Sequence, residues 1–437
     1  MIFSQLYKIY IPINSIKRGD FLLKRILLII FLAAVIIPIQ STAYADTPID
    51  SQKAAFIRND DLWIKSGKEE KQLTSEGFVR YPKWSHDGNW IAYLKGKREI
   101  GNYLNNGELW VYNLKMNKHT KITSNVTNNF LWSPQQNKLT FLVSTDLYVV
   151  NTEPAKPFLI TKLTANVENF SWFPNGRDLF ISTKENQKLH TDIQLSKLSF
   201  EANRQKPVVK QIYTIPVGEN EYYVSTSQFK WSHNQKWISF LLIPTASLSA
   251  DSNTLCILSQ DGQVFQRVDE MLDYEEWFQW APTKSVLGYI HGVGREAMKN
   301  KQLKTVHLPS FHKRLLTPKG YADRDFIWKN NHKLYVSRSI ESEWVNVNER
   351  PLPSIIKIIQ SQKQVTFPTK NQGDFFLQIS DHHLFWIRTD RQSASIFLSP
   401  TKNIQATQWI KNITLASWYY EKWNWEEVFS LYKGKSS

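Results

Sequence analysis

A Phe two positions before a Trp, then a polar turn, then an apolar strand: this pattern recurs along most of the chain and constrains its fold more than any other feature. The copies begin at Phe130, Phe170, Phe229, Phe278 and Phe326, with a variant opening at Tyr81 and a last one at Phe376 that carries Gln378 in place of the Trp. The marker residues Trp84, Trp132, Trp172, Trp231, Trp280, Trp328 and Gln378 are separated by 48, 40, 59, 49, 48 and 50 residues. A period of that length belongs to a propeller blade. Residues at i and i+2 share one face of a strand, so each Phe-Trp pair puts two rings between neighbouring sheets, each worth on the order of 2–3 kcal/mol when buried. Turns such as His86-Asp87-Gly88 and Pro174-Asn175-Gly176 supply the positive φ that a tight hairpin needs. A third strand (from Glu108 or Asp146) and a fourth (from Lys162) complete a four-stranded unit.

The expected fold is therefore all-β, a β-propeller of four-stranded blades. Composition agrees: 17 Trp, 18 Tyr and 24 Phe in 437 residues favour sheet and a large core, and exclude disorder, collagen and coiled coil. The single cysteine, Cys256, excludes an internal disulfide or a cysteine-based zinc site. Eight blades are expected in preference to seven. The segments at 54–58, 61–67 and 71–74 read as the outer three strands of a blade without its inner one, and the stretch Ile413 to Tyr419 is the expected closing strand. The tail beyond about 419 then reads as a short cap.

The units resemble the TolB-type WD-like propeller repeat, whose consensus runs Trp-Ser-Pro-Asp-Gly before an Ile-Ala-Phe strand. Trp84-Ser85-His86-Asp87-Gly88 with Ile91-Ala92-Tyr93 is the closest copy, followed by Trp132-Ser133-Pro134 and Trp172-Phe173-Pro174-Asn175-Gly176. The resemblance spans most of the chain and implies the fold. It implies little about activity, because the repeat occurs both in periplasmic TolB and in the propellers of prolyl oligopeptidase-like enzymes.

Lys24 and Arg25 precede an apolar run from Ile26 to Ile37, too short to span a bilayer comfortably, and Ala43-Tyr44-Ala45 offers small residues at −3 and −1. The expectation is a signal peptide over 1–45 cut after Ala45, one propeller domain over 46–437, and an extracytoplasmic location, secreted or attached to the cell envelope. An uncleaved anchor over 21–39 is the alternative. The formal charge is +15; residues 1–45 hold five basic side chains and one acidic, leaving +11 on the remainder. That excess would draw the protein to anionic surfaces.

Catalytic motifs are missing from the sequence. There is no Gly-x-Ser-x-Gly elbow, no His-Glu-x-x-His, no phosphate loop and no dinucleotide fingerprint. His86 and His233 hold equivalent turn positions in different units, and His382-His383 lies in another turn, so no shared metal is expected; Asn59-Asp60-Asp61 reads as a turn. Inner strands of a propeller line its channel, and their first residues form the mouth. This singles out Arg80, Tyr81, Asn128, Asn129, Glu168, Asn169, Gln228, Glu276, Trp277, Arg324, Asp325 and Asp374 as candidate ligand-binding residues. The expected function is a non-catalytic binding scaffold, a monomer without cofactor, recognising an envelope protein or an anionic cell-wall polymer and no specific nucleic acid. The alternative is a hydrolase or lyase acting on a glycan or peptide, with Glu168, Glu276 or Asp374 as acid and base.

Overall fold

The computed structural model describes residues 51–98, 104, 106–152, 158–200, 207–359, 362–365, 371–401 and 405–434. The signal-peptide expectation lies outside the described residues. No helix among those described is long and apolar enough to cross a membrane.

The described chain is almost entirely antiparallel sheet, laid down as four-strand meanders in chain order. Phe78–Trp84, Trp90–Gly96 and Gly107–Asn113 form one meander with the first half of the long strand Lys118–Trp132. The second half of that strand opens the next meander, so the two units join in one seven-stranded sheet. Val167–Trp172, Lys230–Trp231, Phe278–Trp280, Tyr321–Asn330 and Gly373–Ser380 then provide the inner strands of the following sheets. Each contains or ends on a repeat marker.

The tryptophans stitch one unit to the next through hydrogen bonds as well as packing. The indole Nε1 of Trp132 donates to the Lys83 carbonyl at 3.0 Å, Trp172 to Leu131 at 3.2 Å, Trp280 to Lys230 at 3.0 Å and Trp328 to Gln279 at 3.0 Å. In every case the acceptor is the residue immediately before the previous unit's marker. The ring thus fills the space between sheets while its polar edge satisfies an inner-strand carbonyl. Trp231 breaks the series, its buried Nε1 having no partner.

The first sheet runs Glu69–Gln72, Asp61–Ser66, Lys53–Arg58 and then Phe429–Leu431. Phe429–Leu431 pairs antiparallel with Lys53–Arg58 in the register Phe56 to Phe429 and Ala54 to Leu431. Trp84 Nε1 donates to the Ser430 carbonyl at 3.0 Å, the same stitch made elsewhere. Phe429-Ser430-Leu431 is therefore a further copy of the repeat with Leu as marker. This corrects the expectation for Ile413 to Tyr419: Thr407–Ile413 is the outer strand of the preceding sheet, paired with Ala394–Pro400. A strand with only Trp409, Ile410 and Ile413 buried suits an outer position, whereas Phe429 is 2% exposed.

The tail between these strands, expected as a short cap, has structure of its own. It makes a short hairpin, Trp418–Tyr419 with Lys422–Trp423, and a 3-10 turn at Trp425–Glu427, and it runs inward against inner strands of several sheets. Trp423 and Trp425 stack 4.9 Å apart and are buried. Phe375 of the last inner strand packs on both. Tyr274 donates to the Trp423 carbonyl, and Lys422 donates to the Asp273 carbonyl from the other side.

Candidate active site

Two short 3-10 turns, Glu275–Trp277 before an inner strand and Trp425–Glu427 in the tail, bring three carboxyl groups together. Glu276 hydrogen-bonds Glu426 directly. Two carboxyl groups in hydrogen-bond contact cannot both be ionised at low cost, so they share one proton. Burial pushes Glu276 well above the usual carboxylate range, and the Glu426 charge adds to the effect. Burial works the same way on Glu426, but the hydrogen bond from Glu276 and the nearby cations Lys83 and Lys230 hold it below its ordinary value. The shared proton is therefore favoured on Glu276, the member that burial and the neighbouring charge raise.

Glu275 stands beside them, raised to about 7 by burial, with Lys230 Nζ 3.9 Å away as partial compensation. It accepts the backbone N–H of Gln228 at 3.0 Å. One buried oxygen each of Glu275 and Glu276 has no hydrogen-bond partner. These groups border a cavity of about 550 Å³ whose wall includes Asn128, Tyr274, Trp418, Tyr419 and Lys422. Trp418 and Tyr419 are 41% and 66% exposed, an apolar platform next to the acidic floor. A second cavity of about 440 Å³ shares Asp273, Tyr419 and Lys422 with the first and continues to Arg295.

Of the residues expected at the channel mouth, Glu276 and Asn128 line this cavity and Gln228 contacts it through Glu275. Tyr81 lies close by, its hydroxyl donating to Glu427 at 3.2 Å. The others do not converge there. Arg80 is buried in an ion pair with Asp60 at 2.9 Å and stacks on Phe78. Asn129 donates to Asn169 at 3.1 Å, and Asn169 to the Thr226 carbonyl at 2.8 Å, a chain that ties three inner strands together. Glu168 accepts a bond from Gln187 on an exposed edge. Trp277 is 0% exposed with its Nε1 on the Arg324 carbonyl at 2.9 Å, which removes it from any ligand surface. Asp325 accepts backbone N–H groups of Phe326 and Leu377, and burial raises it to about 7. Asp374 is buried against Arg388, with contacts of 2.7 and 3.0 Å. Glu168 and Asp374 are therefore corrected as acid–base candidates: one is a surface side chain, the other a buried structural ion pair. Glu275 and Glu426 are the residues that sequence reasoning misses. Among the described residues, no group of three His, Cys, Asp or Glu side chains could hold a metal ion.

No protein-family model and no curated protein matches the chain. Solved structures do. A dipeptidyl peptidase 4 from Porphyromonas gingivalis superposes with a TM-score of 0.58 at 9% identity, over 84% of this chain and 59% of that one. The dihydro-heme d1 dehydrogenase NirN, in complex with DHE, gives 0.54 at 11% identity, over 85% and 75%. TolB from Acinetobacter baumannii gives 0.37 at 14% identity, over 61% and 63%. The chain thus spans only part of the peptidase and of TolB. At these identities the likeness is one of fold: the chain is an all-β, propeller-like protein. The expectation of a non-catalytic scaffold is corrected here: the dipeptidyl peptidase 4 and the dehydrogenase that share this fold are enzymes.

Proposed function

We propose that the chain is a hydrolase acting on a glycan or peptide, with Glu276 as general acid and Glu426 as general base. The observation that carries this reading is the shared-proton carboxyl pair bordering an open cavity with an aromatic wall. Ionised Glu426 takes a proton from water as its oxygen attacks the scissile carbon. The bond to the leaving nitrogen or oxygen breaks, and that atom receives the proton of Glu276. The hydrogen bond between the two groups then returns a proton from Glu426 to Glu276, restoring the resting state. The order of raised and lowered acidities matches these roles.

The whole-molecule reading is an eight-bladed propeller of TolB-type repeats, closed by pairing of Lys53–Arg58 with Phe429–Leu431. Its support is the Trp84 to Ser430 stitch, which repeats across the termini the bond made between consecutive units. The signal-like N-terminus supports action outside the cytoplasm after cleavage behind Ala45, and the net charge supports an anionic envelope polymer as partner.

The test is product analysis by mass spectrometry after incubation with defined peptides and soluble oligosaccharides. Shortened products that gain one water are expected, with a loss of about 10²–10⁴-fold in both Glu276→Gln and Glu426→Gln. Products lacking the added water would assign a lyase instead. Intact substrates in both panels, or full activity in the two variants, would refute the reading.

A further inference from the structure

Glu421 sits at the tip of the tail hairpin, 0% exposed, and three guanidinium groups surround it. Arg324, from an inner strand, is 1% exposed and reaches its carboxylate at 3.7 Å. Arg350 and Arg391, both about nine-tenths covered, reach it at 3.4 and 3.3 Å. Three cations against one anion leave an excess of positive charge away from water, an arrangement that costs free energy unless a further anion is available. Asp325 does not make up the difference: burial raises it to about 7, and it spends its oxygens on backbone N–H groups.

The fit of Glu421 is also poor. Charge-assisted bonds run at 2.7–2.9 Å, and Arg388 on Asp374 reaches 2.7 Å in this same protein. None of the side-chain contacts to Glu421 is closer than 3.3 Å. One nitrogen of Arg324, Nη1, is buried with no partner at all. The hairpin tip is held in an uncomfortable backbone, with Tyr420 and Glu421 at φ of 51° and 64°, in the left-handed region that few non-glycine residues favour. Arg391 likewise has φ of 75°. The rim is open: Arg350 stacks 3.5 Å from the Trp344 ring, and Trp344 is 43% exposed.

We propose that Arg324, Arg350 and Arg391 form a carboxylate-binding site, which the chain's own Glu421 occupies in the resting state and which an acidic ligand takes over by lifting the hairpin tip. Planar guanidinium forks suit a carboxylate, and the resident group is itself one. Only the turn at 419–421 has to move, since Trp423 and Trp425 remain buried below it. The lift would also shift Trp418 and Tyr419, which wall the neighbouring cavity. This inference does not depend on the acid–base reading, because binding alone reports on it.

The test is calorimetric titration with citrate as a free carboxylate and with polyglutamate as a carboxylate-bearing chain, at constant ionic strength set with chloride. Glu421→Gln keeps the shape of the tip and the backbone carbonyl bond from Arg324, but empties the site of charge. It is expected to bind citrate about tenfold more tightly than the unaltered protein, because the internal competitor is gone. Adding Arg350→Ala and Arg391→Ala to that variant should abolish the gain. Should Glu421→Gln fail to fold, hydrogen exchange on the unaltered protein gives the answer: citrate or polyglutamate should speed exchange at residues 419–422 several-fold. A response to polyglutamate at far lower concentration than to citrate assigns a polymer; a response to citrate alone assigns a free acid. Equal affinity in both forms, affinity that survives loss of the arginines, or exchange that is unchanged by either probe would overturn the site.

Discussion

A tryptophan at the inner-strand marker position does two things, and they can be separated. The Trp172 ring is buried between sheets, while its Nε1 bonds the Leu131 carbonyl. Trp172→Ala should cost about 3–5 kcal/mol through the cavity it leaves, and Trp172→Phe about 1 kcal/mol through the lost bond plus a small packing defect. Urea unfolding of both variants measures this; equal costs would mean that the stitch contributes nothing. Asp325 reports differently on the same interior. The folded chain keeps a proton on this carboxyl up to about pH 7, whereas the unfolded chain releases it near pH 4, so Asp325 lowers stability as pH rises through that window. Asp325→Asn should make the stability profile less steep there, by up to about 1.4 kcal/mol per pH unit. A profile unchanged from pH 4 to 7 would contradict the assignment.

At the scale of elements, what can be read from sequence depends on whether the signal is local. The Phe-x-Trp pairs, the Asp-Gly and Asn-Gly turns and the alternation of the second strands all lie within about 16 residues, and the meanders follow them. The strand that pairs with Lys53–Arg58 does not announce itself in this way. Phe429-Ser430-Leu431 lacks the indole, so Ile413 to Tyr419, with its richer apolar content, looks the better strand from sequence alone. Pairing to Lys53–Arg58 decides between them, and pairing is non-local. Substitutions can distinguish the two segments in solution. Phe429→Ala should cost about 3–5 kcal/mol, the cost of a core residue, while Trp418→Ala, at a surface 41% exposed, should cost less than about 1 kcal/mol. The reverse order would assign the pairing with Lys53–Arg58 to the earlier segment.

For the molecule as a whole, the candidate site arises where the two ends of a repeat array meet. Glu276 is legible because it lies two residues before the inner strand Phe278–Trp280. Glu426 is not, lying 150 residues further on, just before a repeat copy that lacks the Trp, and only the inward fold of the tail makes it a partner. Trp425-Glu426-Glu427 offered one hint, acidic residues set among aromatics, although nothing in the sequence says which channel residue they face. The arrangement leaves a direct signature that needs no substrate: one proton held between two carboxyl groups at neutral pH. Infrared difference spectroscopy of protein carrying carbon-13-labelled glutamate detects it as the stretching band of a protonated carboxyl. That band should be present at pH 7, and in the unaltered protein it should exceed the band that remains in Glu276→Gln by one carboxyl. Two fully ionised groups at pH 7, or a band that Glu276→Gln leaves untouched, would contradict both the pair and the acid–base chemistry built on it.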